Sequence, residues 1–462
     1  MIIPSDLMVS VSGVRGRVGE GLTPEVVARF AAAFGAWLRE TSGAPRPQVV
    51  LGRDSRPSGP MLVQAVKAGL QSVGCDVIDV GLVPTPTALF AIRHHHAAGG
   101  IVVTASHNPV EWNALKFASS VGMFLDAEEA PAMRAFVADR PIPRARWNEL
   151  GTVTADGHAV GRHLNAVLRI PYLDLEALRS RRFKVVLDCV RGAGGVILPR
   201  LLEALGCDVV GLNLEPDGRF PRAPEPVVEN LGELEAAVRA AGADVGFATD
   251  PDADRLSLVS NSGRAIGEDF TLALAAQLVL RHRPGPVVTN LSTSRVLEDV
   301  ANAAGVALTR APVGEINVAR AMERAGAVIG GEGNGGVILP DVHLTRDAAV
   351  AVALVLQLLL EEGRPLAELV AEQTPYTIVK DKLPRDAGSL EEAYTALEQG
   401  LRAPLADRQD GLRLDWPEER RWLHLRASGT EPILRIIAEA PSAEGARALV
   451  ESARQALGIV AR

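Results

Sequence analysis

Three carboxylates stand at alternate positions in Asp250-Pro251-Asp252-Ala253-Asp254-Arg255, one residue beyond the apolar run Val245-Gly246-Phe247-Ala248. Pro251 has a fixed φ and no N–H, so the chain is expected to turn here and not to continue a strand. In such a turn alternate carboxylates can converge on one hard cation, and Mg²⁺, usually shared with a phosphate, suits them best. An EF-hand loop is excluded: its sixth and twelfth positions need Gly and Glu, and here they are Arg255 and Asn261. Two chemistries remain, a metal site with its nucleophile elsewhere and an aspartyl nucleophile that attacks phosphate itself. The plain alternative is a solvated acidic turn, in a chain with 56 acidic residues.

Other loops carry complementary groups. Thr104-Ala105-Ser106-His107-Asn108-Pro109 follows the apolar strand Gly100-Ile101-Val102-Val103 and sets Ser106 on a polar turn. Serine attacks only with help from a base or a metal, and neighbours on an extended chain point opposite ways, so His107 is not thereby its base. An N-capping serine is the plain reading. Gly330-Gly331-Glu332-Gly333-Asn334-Gly335-Gly336 lets backbone approach a ligand and offers Glu332 and Asn334 to the vicinal hydroxyls of a sugar, against a bare hairpin turn. Leu425-Arg426-Ala427-Ser428-Gly429-Thr430-Glu431-Pro432 supplies a guanidinium, two hydroxyls and exposed backbone, the parts of a phosphate cradle, and Arg435 adds a second fork. A polar hairpin loop is the alternative. Near the start, Ser12-Gly13-Val14-Arg15-Gly16 is another arginine between glycines, suited to an anion. His94-His95-His96 reads as an exposed segment end, since consecutive imidazoles do not share a face. The chain has no Gly-Lys-Ser/Thr of a P-loop, so no nucleotide is required.

The elements that must position these loops repeat. Gln48–Gly52, a helix near 59–72 and Asp76–Val80 form one strand–helix–strand unit. Lys184–Asp188, a turn through Gly192-Ala193-Gly194-Gly195, a helix to Leu205 and Cys207–Val210 form a second. Pro286–Asn290, a helix near 294–304 and Val306–Leu308 form a third. Apolar β-branched runs joined by single helices indicate parallel β-α-β units covered on both faces. The tail differs. Residues 365–384 read as a linker with a short helix. A helix near 390–400, strands at 412–414, 422–426 and 433–438, and a helix near 443–457 capped by Ser442 follow, which predicts a small antiparallel α+β domain.

Composition bounds the partners. A chain of 462 residues is too long for one core, at about 150 residues per domain. Its net charge of −8 gives no basic footprint, so nucleic acid is not an expected partner, and an anionic ligand must be gathered by locally placed Arg and Lys. Cys75, Cys189 and Cys207 are too few for a disulfide framework or a zinc site. The amino terminus lacks a signal-peptide pattern, and the longest apolar run, 348–360, is too short for a bilayer, so a cytoplasmic protein with no membrane partner is expected.

Taken together and in order, the arginine segment 12–16, the serine loop 104–109, the acidic loop 250–255, the sugar loop 331–336 and the phosphate loop 426–432 resemble the α-D-phosphohexomutases, the phosphoglucomutase, phosphomannomutase and phosphoglucosamine mutase superfamily. The resemblance runs essentially end to end. It implies a heart-shaped protein of four domains, three related mixed-sheet α/β domains (1–152, 153–257, 258–368) and a smaller α+β domain (369–462), each giving one loop to a central cleft. It further implies that Ser106 is carried as phosphoserine, with Mg²⁺ held by that phosphate and by Asp250, Asp252 and Asp254, while Arg15 and Arg255 bind the same phosphate. Glu332 and Asn334 would hold the sugar. Arg426, Ser428, Gly429, Thr430 and Arg435 would hold its second phosphate.

Lys116 matches the family's candidate general base, and His107 is a second candidate. The implied reaction passes phosphate from serine to a hexose phosphate, through a hexose 1,6-bisphosphate that turns over in the cleft. One departure is plain: many bacterial members end the sugar loop Ser-Gly-His, and here it ends Asn334-Gly335-Gly336, without the imidazole. That form looks more like an archaeal-type branch and tilts the substrate toward glucosamine phosphate, with glucose or mannose phosphate as the alternative. An aspartyl-phosphate phosphatase and a catalytically silent sugar-phosphate binder are the remaining classes. Monomer and homo-oligomer stay equally open.

Overall fold

A computed structural model describes residues 7–11, 13–138, 140–384, 389–427 and 433–458. Four sheets occur among them. The first runs Met8–Ser10, Gly13–Arg17, Trp112–Ser119, Gly99–Val103, Gln48–Arg53, Asp76–Leu82, Val153–Ala155 from edge to edge. Its last four strands are mutually parallel and its first four pair antiparallel. The continuous burial of Val49-Val50-Leu51 and of Gly99–Val103 is what a parallel strand covered by helices on both faces requires. Helices Pro24–Ser42 and Gly59–Gln71 supply part of that cover, packing Phe30, Phe34, Leu62 and Leu70 into one core.

The second sheet has the order Leu256–Ser260, Val245–Thr249, Lys184–Asp188, Asp208–Leu212, and the third Leu308–Ala311, Val287–Asn290, Ile329–Glu332, Gly336–Ile338. Each is parallel except for one antiparallel edge, Leu256–Ser260 and Gly336–Ile338 respectively. The fourth sheet, Thr377–Pro384, Ile433–Ala440, Arg421–Ala427, Leu412–Trp416, Leu405–Asp407, is antiparallel throughout. Helices Leu390–Leu401 and Ala443–Ala456 accompany it. Three mixed α/β sheets and a closing antiparallel one are the expected architecture.

This topology gives the loops a common address. In the first three sheets the strand that precedes the chemistry-bearing loop is parallel to its inner neighbour, and the strand that follows returns antiparallel beside it. The serine loop joins Gly99–Val103 to Trp112–Ser119, the acidic loop joins Val245–Thr249 to Leu256–Ser260, and the sugar loop joins Ile329–Glu332 to Gly336–Ile338. Ligands of open α/β sheets bind outside the carboxyl ends of the strands, and all three loops lie at such an end.

Two local expectations need correction. The 365–384 segment is not a linker with one helix: after Leu366–Ala371 it forms the eight-residue edge strand Thr377–Pro384. Its alternation Ile378-Val379-Lys380-Asp381-Lys382-Leu383 is a weak strand signal, and pairing with Ile433–Ala440 decides it. The second strand of the third unit lies at Leu308–Ala311, a little beyond the apolar run at 306–308, because it is pinned by Val287↔Leu308 pairing.

The apolar run from Ala348 forms the helix Ala348–Glu362, buried at every position from Ala348 to Leu359, Gln357 included. A helix apolar all round belongs inside a core, and its Leu356 joins Phe247 and Leu258 of the second sheet and Leu274 of the third domain in one cluster. No helix among the described residues is long and apolar enough to cross a membrane. Asp347 caps the helix: one oxygen accepts from the amides of Ala349 and Val350, the other from His163 at 2.7 Å and His343 at 2.9 Å. Thr87 holds the far nitrogen of His163 at 2.8 Å, so the cap is strapped to the first domain. Leu356→Ala should cost about 2–5 kcal/mol, read as a lowered midpoint in thermal or denaturant unfolding.

Candidate active site

The serine loop is held by an arginine that sequence reading passes over. Arg56 is wholly buried, and its guanidinium donates to the carbonyls of Ser106 and Asn108 (both 2.6 Å), Pro109 (2.5 Å) and Trp112 (2.9 Å). Its Nε pairs with Asp54 at 3.0 Å, and Asp54 also accepts from Thr104 Oγ1 at 2.7 Å. The four Nη hydrogens are spread over one turn of backbone, and the fifth donor, Nε–H, is held by Asp54. Ser106 itself has φ +47, a left-handed conformation that costs a non-glycine residue about 1–2 kcal/mol. The Arg56 bonds offset that strain and fix the direction of the hydroxyl. Neither Arg56 nor Asp54 stands out in sequence, because the loop carbonyls that Arg56 serves and the Thr104 hydroxyl that Asp54 holds lie about 50 residues away.

Ser106 is 4% exposed, and its Oγ donates to Asp250 Oδ2 at 2.9 Å. The serine loop of the first domain and the acidic loop of the second thus meet directly. Asp250, Asp252 and Asp254 are all fully buried, and their ligand oxygens lie within 4.8 Å of one another. Ala253, at φ +52, completes the turn that Pro251 begins. Asp252 Oδ2 accepts from Lys116 Nζ at 3.0 Å and Thr85 Oγ1 at 2.8 Å, and Arg346 pairs with Asp254 Oδ2. One oxygen each of Asp252 and Asp254, both Oδ1, is buried without a hydrogen-bond partner. Burial together with the neighbouring Asp254 and Asp252 pushes the Asp250 carboxyl well above its ordinary value. Burial acts the same way on Asp252, but the Lys116 charge and the hydrogen bonds from Asp250, Thr85 and Lys116 together outweigh it and hold Asp252 below its usual range. An oxygen donor set, two orphaned carboxylate oxygens and a carboxyl that resists ionisation among like charges are the conditions a divalent cation relieves, so these residues fit Mg²⁺.

The cation candidates gather round the same point. Arg15 Nη1 donates to Asn108 Oδ1 at 2.5 Å, and Arg255 pairs with Glu225 at 3.2 Å. His107 lies in the cleft wall with Nδ1 buried and unpartnered; burial, then Arg255 and Arg15, lower its pKa to about 2. The imidazole is therefore neutral and a poor proton acceptor in this arrangement. Lys116 is buried, with its ammonium against Asp252 and 5.3 Å from the Phe124 ring centre.

Glu332 and Asn334 face a cleft of about 450 Å³ that is also lined by His107, Arg426 and Arg435. Glu332 accepts from Asn290 (2.8 Å), the Gly314 amide (3.0 Å) and Arg346 (2.7 Å), and the guanidinium helps hold its carboxyl below the usual range despite burial. Asn334 Oδ1 is buried with no partner. The carbonyl of Gly335 (φ +86) accepts from the Leu256 N–H, at the end of the acidic loop, at 2.9 Å, and a Cβ on Gly335 would lie 2.4 Å from Leu256 O. Only glycine allows that approach.

Ser428, Gly429 and Thr430 lie outside the described residues, as does Ser12. The flanks of the phosphate loop are described. Arg426 stands directly opposite Arg435 across two antiparallel strands, and Arg435 directly opposite Lys382 on the next. Three like charges in one cross-strand row destabilise a sheet unless an anion meets them. Arg426 has an Asp410 partner at 3.2 Å, and all three cations line the cleft. Lys382 belongs to the strand that sequence reading took for linker.

A serine set against convergent carboxylates, with a glycine hairpin and a cationic row across a cleft, is the constellation of a phosphosugar-handling enzyme. Sequence profiles of the phosphoglucomutase/phosphomannomutase alpha/beta/alpha domains I, II and III match residues 7–140, 162–263 and 267–376, and that of the C-terminal domain matches 386–456. The phosphoglucomutase/phosphomannomutase of Thermococcus kodakarensis is 42% identical over 445 residues, 95% of this chain and 96% of that one. A probable phosphoglucosamine mutase of Methanopyrus kandleri is 39% identical over 442 residues, 95% of each. Among solved structures, a phosphoglucomutase/phosphomannomutase family protein of Burkholderia thailandensis superposes with a TM-score of 0.84 at 28% identity, covering 97% of this chain and 98% of that one. The chain belongs to the phosphoglucomutase/phosphomannomutase family of α-D-phosphohexomutases, isomerases that transfer phosphate within one molecule.

Arg56→Lys keeps the charge but cannot serve four carbonyls at once. It should leave a folded protein whose kcat falls ~100-fold, the cost of a loosened reacting group; steady-state kinetics alongside circular dichroism check both halves. Lys382→Ala should raise KM for the sugar phosphate ~10-fold with a smaller change in kcat, since a fixed cation in the row is lost.

Proposed function

We propose that this enzyme moves phosphate between O6 and O1 of a hexose phosphate through phosphoserine at Ser106 and a bound hexose 1,6-bisphosphate. The observation that carries the reading is the 2.9 Å contact of Ser106 Oγ with Asp250, which sets the one serine of the loop against the acidic cluster. A phosphate there would add about −1.5 to −2 charge. Asp250, Asp252 and Asp254 would hold Mg²⁺, which when bound supplies the positive charge that lets that phosphate sit among carboxylates. Arg15 and Arg255 would bind its outer oxygens.

In the forward half-reaction the bond from Ser106 Oγ to phosphorus breaks as one forms from the sugar hydroxyl oxygen. The hydroxyl proton must leave, and we assign it to Lys116, which would take it as the neutral amine; His107, kept neutral and weakly basic, is the second candidate. The electron pair returns to Ser106 Oγ. The bisphosphate then turns over, so that its other phosphate faces Ser106, and the reverse sequence regenerates phosphoserine. Glu332 and Asn334 hold the sugar hydroxyls in either orientation, while the Arg426–Arg435–Lys382 row, with Ser428, Gly429 and Thr430, takes whichever phosphate is distal. Phosphoryl transfer asks for alignment and charge stabilisation more than for covalent help, and these groups supply both.

Glucosamine phosphate is the substrate we favour, on the Glu332-Gly333-Asn334-Gly335-Gly336 loop and the naming of the 39% identical relative. The 42% identical relative, named phosphoglucomutase/phosphomannomutase, favours glucose or mannose phosphate as the second reading. Peptide mass spectrometry after incubation with glucose 1,6-bisphosphate and Mg²⁺ should find an acid- and hydroxylamine-stable phosphate on the Ser106 peptide. Isomerisation of glucosamine, glucose and mannose phosphates should then be lost in Ser106→Ala and on chelation, with Mg²⁺ restoring the unmodified enzyme. A hydroxylamine-labile phosphate on the Asp250 peptide would mean an aspartyl-phosphate enzyme instead, and sugar-phosphate binding without any phosphoprotein a silent binder.

A further inference from the structure

Gly336 has no side chain, and its backbone conformation is not the reason, since its φ is not in the left-handed region. The reason is another residue. A Cβ on Gly336 would lie 2.2 Å from Cδ and 2.9 Å from Cγ of Arg346. Arg346 is 7% exposed and enters from the end of the segment that leads into the buried helix Ala348–Glu362. Its stem crosses the space where a side chain at 336 would stand, and its guanidinium then forks: Nη1 donates to Glu332 Oε2 at 2.7 Å and Nη2 to Asp254 Oδ2 at 2.5 Å. The Arg346 amide donates to Glu315 Oε1 at 3.0 Å, and Glu315 also lies 3.5 Å from Nη2.

We propose that Arg346 is a positioning residue that ties the acidic loop to the sugar loop, and that Gly336 is bare to let it through. The proposal rests on the function assigned above, in which Asp254 holds a cation and Glu332 a sugar. By taking Oδ2 of Asp254, Arg346 leaves Oδ1, which has no hydrogen bond and only Arg255 Nε at 3.7 Å, as the oxygen that would turn to a metal. By taking Oε2 of Glu332, while Asn290 and the Gly314 amide hold Oε1, it fixes the carboxylate plane. Two loops of different domains are thereby set at one spacing by one planar fork.

The test is a double-mutant cycle with Gly336→Ala and Arg346→Ala, together with Arg346→Lys, which keeps the charge but reaches one carboxylate at a time. Gly336→Ala alone should lower kcat/KM ~10-fold or more, whereas in the Arg346→Ala background the same change should cost under ~2-fold. Arg346→Lys, the variant to rely on should Arg346→Ala not fold, should raise KM ~10-fold with a smaller effect on kcat and weaken Mn²⁺ binding, read by electron paramagnetic resonance, ~5-fold or more. Additive losses in the cycle would overturn the proposal. So would an Arg346→Lys enzyme with unchanged KM and Mn²⁺ affinity and only a lower melting temperature. Unmodified protein that isomerises none of the three sugar phosphates would sink the assigned function, and the Mn²⁺ titration would still decide the tie.

Discussion

The site depends on an excess of buried carboxylates that cannot all stay ionised unaided. Asp250, Asp252, Asp254, Glu315 and Glu332 are each shielded from water around one point, and the resident cations Lys116, Arg255 and Arg346 answer only part of that charge. Leaving one buried charge unpaired costs about 3–5 kcal/mol, a large share of a protein's whole stability. The imbalance is visible where it should be, in the raised Asp250 carboxyl beside the serine hydroxyl. A divalent cation bound by these carboxylates would relieve it.

That concentration of charge is tolerable because rigid elements hold it. Serine, acidic and sugar loops each bridge two paired strands, so their ends are fixed by sheet register, and each sits at the carboxyl end of a parallel strand. Arg56 holds the serine loop by its carbonyls, Leu256 and Gly335 stitch the acidic loop to the sugar loop, and the core around Ala348–Glu362 locks the second and third sheets together. The fourth sheet brings a row of cations, Arg426, Arg435 and Lys382, to the cleft, which suits the binding of an anion.

Much of this was legible in the chain. Buried parallel strands announce themselves by continuous β-branched runs, and the acidic, serine, sugar and phosphate loops carry residue types whose chemistry is local: carboxylates at alternate positions round a proline, a hydroxyl at a strand end, glycines admitting backbone, and guanidinium beside hydroxyls. Their order along the chain sufficed to point to the family. Short-range patterning determines these features, because a strand's period, a turn's proline and a loop's glycines act over a few residues.

What folding alone decided is which distant groups share a point. Arg56 means nothing in sequence until residues 106–112 fold over it. Arg346 lies in an unremarkable stretch until it reaches Asp254, 92 residues earlier, and fills the space left by Gly336. Lys382 sat in a segment read as linker until cross-strand pairing with Arg435 made it part of the cleft. Electrostatics and packing between elements far apart in sequence have no local signature: they depend on distances of a few ångströms that only the tertiary fold sets. The sequence by itself determined which chemistries the loops could perform; the tertiary structure decided which charges meet, and so which residues hold them in place.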